Sequence, residues 1–527
     1  MDRRSFLRGA AAVGTSVVAG GAAAGCSGGQ PERSGAHGTS TSTSAKSGHG
    51  GPPDWQALAA SLSGTLLRPG QSGYLAAGHL YNALYTPDPA AIAQCVSSGD
   101  VQRCLAFARA NDVEVAVRSG GHSYGGYSSG PGLVVDVSHL RGVSMEATNA
   151  GSTAGAGQGI VTVGAGAELI DVYSDLAAQG LLLPGGSCPT VGIAGLALGG
   201  GIGVFARAYG LTCDQMAMVD IVTADGVLHR CGPGQDEDLY WACRGGGGGN
   251  FGVVTSFDFR VRPIPGAITL FTLEWPWGAA ASVLDAWIRW IPSAPPELWA
   301  NCQLYSSGVA GSGSVKVTGV FAGIVAGCSA ALGPLTAAVG QATTYQFVGP
   351  EEYMTATMIE AGCEGKPVAQ CATPVQSPFA AKSSYVGGPI PEQTVSALVS
   401  ALSTLPTTLP GAGGGIVFDG YGGVINQVGA SETAFVHRDA AACAQYSITY
   451  PTTSPAPSAT SAASAWLEGV QSAFAPVSQG SYQNYIDPTL ADWQQAYYGA
   501  NLARLQQVKR KYDPEDVFHF AQSIPPG

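Results

Sequence analysis

The sequence predicts an α+β protein of at least two lobes, and three observations carry the prediction. The chain has 527 residues, whereas single hydrophobic cores stop growing at roughly 250–300 residues. Between residues 88 and 264, helical and strand patterns alternate closely, with glycine clusters at their joints. From about residue 265 to 475 the pattern changes to longer alternating strands broken by apolar helical stretches, which reads as a sheet with helices on one face. Composition agrees with a folded chain: 45% of residues are hydrophobic and 11% charged, with a formal net charge of −12. That excludes a disordered chain and leaves no basic excess for nucleic acid. No internal repeat is found, and no transmembrane span in the mature chain.

The N-terminus, MDRRSFLRGAAAVGTSVVAGGAAAGC, sets Arg3 and Arg4 ahead of a short run rich in Ala and Gly, and resembles a twin-arginine export signal over 1–26. Such export carries folded proteins, often with a cofactor already in place. Cys26 is also a candidate lipid site, although Ala23 stands where a lipobox usually has Leu. Free secretion and a lipid anchor therefore both stay open. Residues 27–51 read as a linker of Ser, Gly, Thr and His. The spacing then predicts a helix over PDPAAIAQCVSSGDVQRCLAFARAND and a strand at VEVAVRSG. GLVVDVSHL and GIVTVGAGAEL are further strands, ELIDVYSDLAAQG is a helix closing on Gly180, and AMVDIVTADGVLHRC is a hairpin turning at Asp225 and Gly226. In the second half AITLFTLEWPW, VKVTGVFAG, GIVFDGYGGVINQV and AQYSITYPTTS predict strands, while AASVLDAWIRWI and TSAASAWLEGVQSAFAPV predict helices. The tail, 480–527, is rich in Tyr and charge and ends in helix and loop.

Three glycine-rich loops follow or join these strands. VRSGGHSYGGYSSG (117–130) sets His122 among glycines, four residues after Arg118. Glycine permits positive φ and close approach to a bulky anion, and free backbone N–H groups can cradle a phosphate. A tight surface turn with a solvated histidine is the competing reading. The second loop system spans 181–216 and holds Cys188 between two glycine clusters; the third is RGGGGGNFGVVTSFDFRV, 244–261. Together they could line one long ligand holding a pyrophosphate. GGGIG lacks the strand–loop–helix context and following acid of a nicotinamide site. There are 12 cysteines. With Cys26 set aside the number is odd, so one should be special, and in an oxidising compartment the rest are expected to pair. Cys95–Cys104 and Cys363–Cys371 close the short loops and are the first pairs expected. No cluster has metal-ligand spacing, and His139, His229 and His519 read as structural.

RSGGHSYGG, GGSCPTVG, DLYWACRGGGGGNFGVVTSFDFR, and the terminal YQNYID with YDPEDVFHFAQSIPP resemble the berberine-bridge-enzyme-like flavoproteins, from about residue 70 to the C-terminus. The resemblance implies the vanillyl-alcohol-oxidase fold. That is a PCMH-type FAD domain of two α+β subdomains over 52–264 (its PCMH part about 87–264), a substrate domain over 265–475 built on an antiparallel sheet covered by helices, and a C-terminal segment, 476–527, returning to the FAD domain. It implies a bicovalent FAD, with His122 on the 8α carbon and Cys188 on the 6 position, making Cys188 the odd cysteine and leaving ten for up to five disulfides. The implied cofactor-binding set is Arg118, Ser119, Gly120, Gly121, His122 and Ser123 from the first loop, then Gly186, Cys188, Val191, Gly192 and Gly195, then Gly252, Val253 and Asn484.

Double attachment implies a high flavin potential and oxidation of a hydroxyl carbon, with the protein supplying binding, orientation and proton removal. The expected substrate is a small molecule, a carbohydrate or a glycosylated natural product. A secondary-metabolite aglycone is the alternative. Molecular oxygen is the expected acceptor, giving hydrogen peroxide, and Val191 lies near the place where bulkier residues block oxygen in dehydrogenase relatives. A dehydrogenase passing electrons to another acceptor remains open. Tyr485, in the family's NY motif, is the implied base. A free phenol has a pKa near 10, so it needs a partner. Asp419, where the resemblance implies a second catalytic group, is assigned as that partner, with one proton shared between them; a turn-stabilising aspartate before Gly420 is the other reading. Aligned from His437-Arg438-Asp439, Ala444 falls where plant alkaloid and cannabinoid members carry a glutamate, which disfavours oxidative ring closure. Tyr421, Tyr446 and Tyr450 are candidate sugar-stacking or core residues.

Overall fold

A computed structural model describes residues 52–145, 159–307, 309, 311–373, 375–406 and 413–527. The export signal, the linker and Cys26 lie outside the described residues. Two sheets occupy the first half. A four-stranded sheet has the order Thr65–Leu67, Ala91–Gln94, Leu133–Asp136, Val115–Arg118, with the last three strands parallel. The helix Ser98–Asn111 makes the crossover that a parallel pair requires.

The single long helix predicted from residue 88 is in fact a strand and a helix. Ala91, Ile92 and Ala93 are fully buried, and a short apolar run suits a buried parallel strand as well as a helix. The helix starts only where the Ser97 hydroxyl caps it by accepting from Asp100 N at 3.1 Å. The second sheet is antiparallel and contains Val143–Met145, Gly159–Gly164, Val253–Pro263, Met216–Val222 and Leu228–Cys231 in that order, with Leu181–Leu182 paired to Val253–Pro263.

The third sheet has seven antiparallel strands in the order Tyr345–Pro350, Thr269–Trp275, Gly313–Phe321, Leu298–Ser306, Gly413–Gly420, Ala442–Thr449, Phe379–Val386. Alternation gives it two chemically different faces. Leu273, Val317, Cys302, Phe418 and Ala444 are register partners in one row. They pack with residues of the helices Ala280–Trp290, Val325–Val339, Glu392–Ser403 and Pro457–Phe474 in one core. On the other face, Thr272, Thr318, Asn301 and Asp419 form one row, and Glu274, Lys316, Gln303, Val417 and Gln445 form the next. This polar face turns toward the glycine loops of the first half.

Of the disulfides expected, up to five, one is formed among the described residues, and it is one of the two short-loop pairs expected first. Only Cys363 and Cys371 stand at disulfide distance among the described residues. The Cys95 and Cys104 sulfurs, 4.0 Å apart, share a thiol hydrogen bond and no disulfide. Cys302, Cys328 and Cys443 are buried free thiols, acting as small core hydrophobes, so cysteine parity carries no information about Cys188. No helix among the described residues is long and apolar enough to cross a membrane.

Candidate active site

A cavity of about 890 Å³ runs between the three glycine loops and the polar face of the third sheet, within the range of small-molecule and cofactor sites. Ser119, Gly120, Gly121, His122 and Ser123 line it from the first loop; Gly186, Cys188, Val191, Gly192 and Gly195 from the second; Gly252, Asn484, Tyr485 and Asp419 complete the set. Two expected residues do not belong. Arg118 is buried beneath the loop and pairs with Asp136 at 2.8 Å, its register partner on the neighbouring strand. Val253 points away because the strand alternates, so Gly252 and Val254 face the cavity instead.

The loops need their glycines for mutual approach. A Cβ on Gly120 would overlap the Gly192 backbone, and one on Gly192 would overlap Ser119. Gly195 has nothing within 4 Å of a built Cβ, and the nearest atom for Gly249 is Phe520 at 3.9 Å. Side chains there would fill the cavity itself, so these positions form a smooth trough. His122 Nε2 bonds the Thr190 hydroxyl at 2.9 Å, and its ring stacks on Tyr81 with centroids 4.1 Å apart. Burial lowers the imidazole to about 4, so His122 is neutral at pH 7 and keeps a nucleophilic lone pair. Cys188 faces the same cavity from the turn before Thr190. Burial, then the Asp419 charge, raises its thiol above the usual value. Glycine trough, neutral histidine and cavity-facing thiol together fit a long cofactor with an electrophilic ring.

The Tyr485 hydroxyl donates to Asp419 Oδ2 at 3.4 Å. Burial raises the Asp419 carboxyl to about 7, opposed by this hydrogen bond. Burial and then the Asp419 charge hold the Tyr485 phenol well above its usual value. The phenol is therefore protonated at neutral pH, and the ionisable acceptor of the pair is Asp419. Tyr485 is fixed by aromatic neighbours: Tyr124 stacks on it at 5.5 Å and Tyr482 meets it edge-on at 5.0 Å.

Each polar residue of SYQNYID has work to do. The Tyr482 hydroxyl accepts from Gly201 N at 2.8 Å, Gln483 donates to the Gly199 and Gly245 carbonyls at 2.8 and 2.6 Å, and Asn484 donates to Leu196 O at 3.0 Å. Asp487 forms a buried pair with Lys382 at 2.7 Å. The motif thus ties the second and third glycine loops to a strand of the third sheet. The later YDPED stretch supports the third loop in turn: buried Lys509, one helical turn before Asp513, pairs with it at 2.7 Å and donates to Asn250 O at 3.0 Å.

Ala444, expected at the position of the alkaloid enzymes' glutamate, does not line the cavity. Ala444 lies on the helix-covered face; Gln445 faces the cavity and donates to the Tyr124 hydroxyl at 2.6 Å. A one-residue slip in a strand exchanges the faces. Tyr421 and Tyr446 are fully buried, and neither they nor Tyr450 line the cavity. Its aromatic walls are Tyr81, Tyr124, Tyr127, Tyr345, Trp299 and Phe520, together with Tyr482 and Tyr485. His229 pairs with Asp236 at 3.0 Å; His519 bonds the Asp516 carbonyl and stands at the cavity edge. The sequence reading also missed Glu274, Gln303, Lys316 and Glu360. The alternation that places Asp419 inward identifies the first three from the adjacent strands.

Comparison with known proteins matches residues 89–232 to the FAD binding domain family and residues 481–525 to the berberine and berberine like family. An uncharacterized FAD-linked oxidoreductase, YgaK of Bacillus subtilis (strain 168), is 31% identical over 447 residues, 83% of this chain and 91% of that protein. Glucooligosaccharide oxidase of Sarocladium strictum is 29% identical over 469 residues, 85% of this chain and 90% of that protein. The solved structure of Physcomitrella patens BBE-like 1 superposes with a TM-score of 0.79 at 29% identity, covering 90% of this chain and 99% of that one.

Proposed function

Because the chain belongs to the berberine-bridge-enzyme-like FAD-linked oxidases, we propose that it oxidises a hydroxyl group on a carbohydrate or glycosylated natural product, using FAD attached through both His122 and Cys188. The observation that carries the reading is the Tyr485–Asp419 pair, whose 3.4 Å contact lies in the same cavity as His122 and Cys188. His122, Cys188 and the glycine trough would hold FAD, which would supply the hydride acceptor, with O2 as the terminal oxidant.

The protein's part is proton removal. As the substrate hydroxyl gives up its proton to the Tyr485 oxygen, the Tyr485 proton moves to Asp419. A carboxyl near 7 is ionised often enough to accept at neutral pH and is basic enough to hold the proton. This revises the roles: Asp419 is the terminal base and Tyr485 the relay. Sugar is favoured over an apolar aglycone because the sheet presents Thr318, Asn301, Gln303 and Gln445 to the cavity. Ring closure of the alkaloid kind is disfavoured because position 445 carries an amide, which cannot serve as a base. An FAD domain over 52–264, a substrate domain over 265–475 and export through the N-terminal signal belong to the same proposal.

The test is the visible spectrum before and after acid precipitation, followed by a tryptic digest and by oxygen uptake with sugars. A yellow pellet with flavin on the His122 and Cys188 peptides is expected. A colourless pellet would remove the covalent links, and absence of oxygen uptake with every oligosaccharide would remove the carbohydrate reading.

A further inference from the structure

We propose that the cavity wall around Glu360 is a subsite for a protonated amine, so that the preferred substrate is an amino sugar or an amine-bearing glycoside. The inference rests on the carbohydrate reading above and narrows it.

Charge is the first observation. Glu274, Lys316, Glu360 and Asp419 are the charged residues that the third sheet and the helix Tyr353–Glu360 bring to the cavity: three carboxyls against one ammonium. Glu274 and Lys316 are register partners. Burial lowers the Lys316 ammonium while Glu274 and Glu360 hold it up. Three carboxyls thus face one ammonium across this wall, and the group is short of positive charge. Burial raises the Glu360 carboxyl to about 7, with Asp419 adding to the rise and Lys316 and a hydrogen bond from Thr318 only partly opposing it. A second cation bound there would relieve a carboxyl that its surroundings leave under-compensated.

The hydrogen-bond inventory is the second observation and is independent of charge. Gln303 is 6% exposed and lines the cavity. Its Nε2 is committed to Asn301 Oδ1 at 3.0 Å, while its Oε1, buried beside Lys316 in the register, has no partner. An amide oxygen in this state calls for a donor. An ammonium group offers three donors and no acceptor, matching an amide oxygen set among carboxylates. Trp299, 4% exposed on the same strand and face, has an indole N–H without a partner; it supplies a donor suited to a ring or hydroxyl oxygen of the same sugar. A neutral sugar could satisfy Gln303 but would leave the charge uncompensated. A uronic acid would add a negative charge beside a lysine already flanked by two carboxylates.

The experiment compares three disaccharides on the holoenzyme: the glucosamine dimer, its N-acetylated form and cellobiose. Oxygen uptake gives kcat and KM, and calorimetry on the dithionite-reduced holoenzyme, which cannot accept a hydride, gives binding alone. We expect the amine to bind about tenfold more tightly than either neutral sugar, as one charge-assisted contact allows, with the difference in KM rather than kcat. Glu360→Gln should bring the ratio close to one. Equal or tighter binding of cellobiose by the wild-type enzyme overturns the amine subsite while leaving carbohydrate oxidation standing, as does a ratio unchanged in Glu360→Gln. If none of the three is bound or oxidised, the carbohydrate reading falls and the subsite with it.

Discussion

Asp419→Asn should stabilise the protein at alkaline pH while disabling it. The Asp419 carboxyl is raised from 3.8 to about 7 by burial. Between those values the folded chain keeps a proton that the unfolded chain has lost, so stability falls as pH rises through the window. Above pH 7 the full cost of holding the ionised carboxylate is present: about three units at 1.36 kcal/mol each, or about 4 kcal/mol. Asparagine removes that cost, and its amide oxygen still accepts from Tyr485. Unfolding of holoenzyme by denaturant at pH 4 and pH 8, wild type against variant, reads the effect. The midpoint gain should be clear at pH 8 and nearly absent at pH 4. In the same preparations kcat/KM should fall by about 10²- to 10⁴-fold, the usual worth of a positioned base, and the wild-type profile should rise with pH to a plateau above about 7. A variant no more stable than wild type at pH 8, or a wild-type profile flat across pH 6–8, would refute the assignment of Asp419 as a buried carboxyl poised to take the proton.

Three further outcomes follow from the site. His122→Ala and Cys188→Ala should each keep flavin in an acid-precipitated pellet, whereas the double variant should release it to the supernatant; flavin retained by the double variant would remove both attachment assignments. Tyr485→Phe should slow flavin reduction by about 10²- to 10⁴-fold in stopped flow with flavin content unchanged, and an unaltered rate would exclude the phenol from the proton path. Lys382→Met leaves Asp487 buried without its 2.7 Å partner, so unfolding should be easier by about 3–5 kcal/mol, seen as a lower denaturant midpoint.

The legible part of this protein was local chemistry; the illegible part was which way side chains face. His122 among glycines and Cys188 between glycine clusters stand out in the sequence because such loops do nothing for a core, and Tyr485 sits in a motif whose Tyr482, Gln483 and Asn484 bind the glycine loops while Asp487 anchors it to the third sheet. Arg118 and Val253 were misjudged because adjacency to a loop does not mean exposure to it: one turns down into an ion pair and the other lies a half-period out of phase. The strand Ala91–Gln94 was hidden because three successive buried residues have no readable period. Glu360 was not readable at all, since it comes from a helix far in sequence from the strands carrying Lys316 and Asp419. Cysteine counting misled because a buried thiol is a stable state in its own right.

The same alternation makes position 445 a sensitive probe of the relay. Val417 pairs with Gln445 and Asp419 with Cys443, so residues 419 and 445 are diagonal neighbours on one face of adjacent strands, at about 7–8 Å. Gln445→Glu would place a second carboxyl beside Asp419 without changing size. At an effective dielectric near 20, two unit charges at that distance repel by about 2 kcal/mol, which raises the later ionisation by about 1.5 pH units. The two groups would then titrate as a coupled pair. The alkaline plateau of kcat/KM should therefore begin more than one unit higher than in wild type, and activity at pH 7 should fall although Tyr485 and Asp419 are untouched. Gln445→Leu separates charge from the lost 2.6 Å bond to Tyr124: it should lower activity without moving the limb. If both variants leave the limb where wild type has it, the ionisation that controls the rate is not at Asp419, and the proton path must run through another group.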